Sequence, residues 1–217
     1  MQNKIKQFNK AFMLPTCKDA NQNINERKQL FKRLISEEVD ECWEGCNIHY
    51  HGDENKGYTD VFDALIDMTY LTLGAYEYHN LTCTYSHNYV NESKFNIDFK
   101  SIRVILDMIE EELENYIISD NIEVCLDFIL SKIFYLVAKC GFLNVFAKGF
   151  NEVHASNMSK LCNTMVEVFE SVETYQNKGI KATYKQVDNH FVLYRNDGKV
   201  LKGINYFEPK LKEILFN

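Results

Sequence analysis

The chain has 217 residues, enough for one domain or two small ones and for a sizeable core. Hydrophobic residues make up 46%, which excludes a disordered chain, and a net charge of -7 excludes the basic footprint needed to grip a nucleic-acid backbone. A phosphorylated small molecule stays open as a substrate, because a divalent cation can supply the positive charge that the chain lacks.

Seven cysteines, an odd number, lie scattered at 17, 42, 46, 83, 125, 140 and 162 with no disulfide-like framework. The N-terminus lacks an apolar leader, and no run is apolar and long enough to span a bilayer. The expectation is a cytoplasmic protein with reduced thiols and no membrane partner.

Two prolines and nine glycines are sparse punctuation for this length and favour long helices. Periodicity predicts helices near 2–12, 26–44, 58–79, 98–118, 121–140, 143–150 and 151–177, the first two separated at Leu14-Pro15. The polar stretch 44–57 reads as a loop, as does 80–96. After 178 the pattern changes: Phe191-Val192-Leu193-Tyr194 and Lys199-Val200-Leu201 flank Asn196-Asp197-Gly198 as a β-hairpin would. The expected fold class is all-α, a helical bundle over 1–177 followed by an extension over 178–217 with a small β-hairpin.

A faint internal repeat runs through the helices. Leu34-Ile35-Ser36-Glu37-Glu38-Val39-Asp40-Glu41 lines up with Met108-Ile109-Glu110-Glu111-Glu112-Leu113-Glu114-Asn115, and Asp67-Met68-Thr69-Tyr70-Leu71 with Lys132-Ile133-Phe134-Tyr135-Leu136. The second copy replaces Glu41 by Asn115 and Asp67 by Lys132. Two tandem helical hairpins are therefore expected, an active half near 26–79 and a degenerate half near 98–140. Such a chain works as a monomer with a pseudo-dimeric core, or as a homodimer.

Placed on a helical wheel at about 100° per residue, Leu30, Leu34, Phe31 and Ile35 form an apolar stripe. Glu37, Glu38 and Glu41 fall within or beside it. On the next helix Asp63 and Asp67 share a face, with Asp60 beside them, while Phe62, Leu65, Ile66 and Leu73 cover the other sides. Burying several carboxylates together is costly unless a cation compensates. Hard oxygen donors without Cys or His suit Mg²⁺, with Mn²⁺ the alternative, and magnesium is commonly completed by substrate phosphates. A rival constellation, Cys42, Cys46, His49 and His51, has unusual spacing for zinc.

Glu37-Glu38-x-x-Glu41 followed by Asp63-Ala64-Leu65-Ile66-Asp67 resembles the all-α NTP pyrophosphatase superfamily, which includes MazG-like proteins, dimeric dUTPases and phosphoribosyl-ATP pyrophosphohydrolases. Val153-His154-Ala155-Ser156-Asn157-Met158-Ser159-Lys160 and Asp197-Gly198-Lys199-Val200-Leu201-Lys202-Gly203 resemble one branch of it. The resemblance implies metal ligation by Glu37, Glu38, Glu41 and the aspartates of the second helix. One departure is Ala64, where the superfamily carries a glutamate; Asp63 is the substitute. The expected activity is Mg²⁺-dependent hydrolysis of a nucleoside triphosphate to the monophosphate and pyrophosphate, with Glu37 or Glu38 as the base. Lys160, Lys199 and Lys202 are candidate phosphate clamps, Asn157 and His154 candidate readers of base or sugar, and Tyr70 a candidate stacking platform. The alternatives are phosphoribosyl-ATP hydrolysis, and an inactive nucleotide-binding or interaction module.

Overall fold

A computed structural model describes residues 1–19, 23–86, 88–90, 95–196 and 199–217. Helices α1 (Gln2–Ala11), α2 (Ile24–Tyr50), α3 (Glu54–Tyr78), α4 (Phe99–Ile118), α5 (Ile122–Lys139), α6 (Leu143–Met158) and α7 (Met165–Asn177) precede strands β1 (Ala182–Val187), β2 (His190–Arg195) and β3 (Val200–Leu201), and α8 (Leu211–Phe216) closes the chain. The fold is mostly helical with a small antiparallel sheet in the order β1-β2-β3. The chain divides into two compact units. One comprises 1–5, 15–150 and 210–217, the other 6–14 and 151–209.

In the first unit α2 and α3 form a long hairpin. The segment 44–57 is almost wholly helical, correcting the expected loop: only His51-Gly52-Asp53 interrupts the two helices. Gly52 turns the chain at φ +103°, and the Asp53 side chain accepts from the Lys56 N–H to start α3. The glycines that suggested a loop instead permit close approach. A Cβ on Gly45 would lie 2.9 Å from the Val61 backbone N, and one on Gly57 would lie 2.6 Å from that of His49. Helix α3 buries 14 of its 25 residues, including Phe62, Leu65, Ile66 and Tyr76, so it is the central helix of this unit.

Helices α4 and α5 form a second hairpin against the first. Lys28 Nζ donates to the carbonyls of Ile117 and Ser119, Lys32 pairs with Glu114 at 2.5 Å, and Ser36 Oγ donates to Glu110 at 3.1 Å. Each step of four along α2 is a step of about four backwards along α4, so the helices pack antiparallel. Between α3 and α5, Tyr76 donates to Asp127, and Leu73 and Leu130 line one cavity, which is again an antiparallel register.

In the second unit the expected helix 151–177 is two helices. Helix α6 ends at Met158 and α7 restarts at Met165. Thr164 Oγ1 accepts from the Glu167 N–H at 3.2 Å, while the Glu167 carboxylate accepts from the Asn163 N–H at 2.7 Å. This is a near relative of the capping box, written in the sequence as Thr164-x-x-Glu167. The expected pairing of 191–194 with 199–201 is present: Leu193 faces Leu201 and Tyr194 faces Val200. Asp197 and Gly198 of the expected turn lie outside the described residues. Strand β1 was not expected. It pairs with all of β2 through a two-residue turn in which Asp188 takes φ +48°. Cys162, Val168, Leu193 and Leu201 form a small core beneath the sheet.

Candidate functional site

The buried residues of α2 are Lys28, Phe31, Ile35, Val39, Cys42, Gly45 and Cys46. That seam is rotated by about one residue, roughly 100°, from the Leu34-centred stripe read from the sequence. The reason is that α2 packs against two partners, α3 and α4, and the second takes up Ser36 and Lys32 from the side assigned to solvent. The rotation corrects the expected burial of three glutamates. Glu37 and Glu41 are exposed, Glu37 lying 3.8 Å from Arg33. Glu38, at the edge of the seam, is partly buried.

Across the hairpin Asp63 and Asp67 are also partly buried on α3. Four of the acids act on Glu38. Burial first, and then the negative charges of Asp67, Glu41, Asp63 and Glu37, push the Glu38 carboxyl up to about 9. The two helices therefore bring Glu37, Glu41, Asp63 and Asp67 within electrostatic reach of Glu38. Ala64 is buried at 2% exposure, and Asp63 supplies the negative charge beside it.

Asp60 borders this group. It pairs with Lys56 one turn earlier, and both line a cavity of about 230 Å³ with Glu41, Glu44, Gly45 and Asp63. Lys56 was missed in the sequence; its i, i+4 spacing to Asp60 was the available signal.

The donor chemistry of the five carboxylates, all hard oxygen, fits Mg²⁺ or Mn²⁺. Among the described residues no three His, Cys, Asp or Glu side chains are already converged as ligands. Cys42 and Cys46 are fully buried. The mutual hydrogen bond and burial hold the Cys42 thiol well above its ordinary range, as suits a packed thiol rather than a thiolate ligand. His49 packs edge-on to the Tyr58 ring at 4.7 Å. All seven cysteines are free.

Tyr70 is in the core, 7% exposed and stacked on Phe150 at 5.5 Å. Asn157, His154, Lys160, Lys199 and Lys202 belong to the second unit. There Lys160 Nζ donates to Asn157 Oδ1 at 2.6 Å, joining two of the candidates, and His154 is buried. Lys202 pairs with Glu208 at 2.8 Å and lies over the Tyr206 ring at 4.0 Å, while Lys199 is exposed beside β3.

The fold and the site define a mostly helical protein with a carboxylate cluster between two long helices. Among the described residues no single helix is long and apolar enough to cross a membrane. No family model matches the chain, and no solved structure matches it. It is 27% identical over 244 residues to the protein named "Uncharacterized protein L479" of Acanthamoeba polyphaga mimivirus, covering 97% of this chain and 94% of that one.

Proposed function

We propose that this protein is a divalent-cation-dependent nucleoside triphosphate pyrophosphohydrolase of the MazG-like type, releasing pyrophosphate from a (d)NTP in the cytoplasm. The observation that supports this reading is the state of Glu38. Burial first, and then the charges of four further carboxylates, raise its proton affinity. A site of this kind lacks positive charge, and a cation restores the balance. Glu37, Glu38, Glu41, Asp63 and Asp67 would hold the ion. Bound Mg²⁺ or Mn²⁺ supplies charge neutralisation for the phosphates and acidifies water.

The chain's own residues do the rest. Glu38 holds a proton on its carboxyl at neutral pH, and a bound cation would favour its ionised form. Glu37, exposed and at the border of the cluster, or Glu38 once ionised, accepts a proton from the attacking water.

The test is a panel of dUTP, dCTP, dATP, dGTP, ATP and phosphoribosyl-ATP with Mg²⁺, reading pyrophosphate. Release from a triphosphate supports the proposal, and the preferred substrate names the base. Release from phosphoribosyl-ATP alone moves the activity to that alternative. No release from any, with nucleotide still bound, turns the reading to a binding module.

A further inference from the structure

Three basic residues gather where α2 begins and α3 ends. Two of them have hydrogen-bond partners. Lys28 Nζ donates to the carbonyls of Ile117 at 3.4 Å and Ser119 at 3.0 Å, compensating the negative end of α4. His79 shares a 2.8 Å hydrogen bond with the Tyr116 hydroxyl. Arg27 differs. Its guanidinium lies over the Phe31 ring at 4.9 Å and near the Tyr78 ring at 5.7 Å, and its Nε is closed off from solvent without a hydrogen-bond partner among the described residues.

Tyr78 repeats the anomaly. It is 1% exposed, and its hydroxyl also has no partner among the described residues. Burial lowers the pKa of Arg27, and the opposing influences come from Tyr78 and Tyr116 rather than from a carboxylate. The other groups acting on the Tyr78 hydroxyl are Cys17 and Asp19. Buried donors are nearly always paired, and two unpaired donors on neighbouring side chains call for an acceptor. Arg27 as a residue is only partly buried. The positive end of the 27-residue helix α2 adds to the attraction.

We infer that Arg27 and Tyr78 form a binding site for a small oxyanion, a phosphate or a carboxylate. Guanidinium Nε–H and phenol O–H donate to its oxygens, while the Phe31 and Tyr78 rings hold the planar guanidinium in place. Arg27 precedes Glu37 by ten residues, about 15 Å along α2. The oxyanion site is therefore separate from the carboxylate cluster, shares no residue with it, and stands or falls without the proposed hydrolysis.

The experiment uses the whole chain in EDTA, which removes divalent cations from the carboxylates. Inorganic phosphate and acetate are titrated separately, with chloride at matched ionic strength as control. Melting temperature and the Arg27 Nε–Hε resonance are followed. The expected result is a saturable response with a millimolar midpoint. Arg27→Gln should remove the response, Tyr78→Phe should weaken binding about tenfold, and Arg103→Gln on α4 should leave it unchanged. A response to phosphate alone assigns a phosphoryl ligand; a response to acetate alone assigns a carboxylate. Should neither anion saturate, or should Arg27→Gln respond like the parent, the inference is overturned and a buried water satisfies the two donors. The resonance reads binding in the parent protein even if a variant folds poorly.

Discussion

Ser36 Oγ donates to Glu110 Oε2 at 3.1 Å, and the 74 residues between them equal the offset at which α4 repeats α2. Each of these residues meets its own counterpart in the repeat, as a residue on a two-fold axis does. The α3 and α5 register agrees. Tyr76 meets Asp127, and Leu73 and Leu130 line one cavity. One further turn brings Thr69 level with Phe134, the pair aligned by the second offset. The first unit thus packs α2 on α4 and α3 on α5 in antiparallel register, the register that a fusion of two hairpin copies would give.

Such a fusion separates the two halves by chemistry. Glu38→Gln should reduce pyrophosphate release by at least about 100-fold, the range expected for loss of a general base. Glu111→Gln, at the counterpart of Glu37, should keep release within about twofold. Steady-state rates on the preferred triphosphate make the comparison, and equal losses would mean that the second hairpin carries chemistry too.

Glu38 also has a stability signature. Its folded pKa of about 9 lies above the unfolded value of 4.5, so the folded state binds the extra proton between those values and stability falls as pH rises from about 4.5 to 9. Without divalent cation, Glu38→Gln should stabilise the protein by about 1–3 kcal/mol at pH 8, after allowance for solvent screening. Urea unfolding in EDTA checks this. Excess Mg²⁺ should erase the advantage.

His79 has the opposite slope. Burial, and then Lys28, lower its pKa from 6.5 to about 4. The unfolded state takes up the proton first, so the contribution is full above pH 6.5 and is lost as pH falls through 4. His79→Gln should flatten the loss of stability between pH 6.5 and 4 by about 1–2 kcal/mol. Unfolding midpoints at pH 7.5, 5.5 and 4.5 measure it.

The α2–α3 crossing rests on absent side chains. A Cβ at Gly45 would meet the Val61 backbone N at 2.9 Å, which no side-chain rotation relieves. Gly45→Val should cost about 2–4 kcal/mol, the upper range of overpacking effects. It should also lower affinity for divalent cation, since the same crossing carries Glu41 and Asp63 into one cavity. Isothermal titration with Mn²⁺ on the folded fraction reads the second effect.

Much of this was legible in the sequence. Helical periodicity located α2 to α5, since each presents a continuous apolar seam to the core. That Glu38 and Glu41 share a side of α2, and Asp63 and Asp67 a face of α3, was legible for the same reason: i, i+3 and i+4 spacings fix a face whatever the helix packs against. The β2–β3 pairing followed from local strand composition. Three features were not legible. Gly45 and Gly57 read as loop residues because a glycine at a helix crossing and a glycine in a turn look alike until the neighbour is known. Strand β1, AlaThrTyrLysGlnVal, has too little apolar alternation to stand out, and forms because β2 offers it a full edge. Arg27 and Tyr78 are 51 positions apart, and only packing makes them neighbours whose donors lack acceptors among the described residues.

The sequence by itself determined which residues become helix and which carboxylates share a face, because both follow from the 3.6-residue period. How deeply each carboxylate is buried was decided by the tertiary structure alone. The degree of burial depends on where the second partner helix lands, and α4, by packing against Ser36 and Lys32, turned α2 so that Glu38 lies at the edge of the seam while Glu37 and Glu41 face solvent.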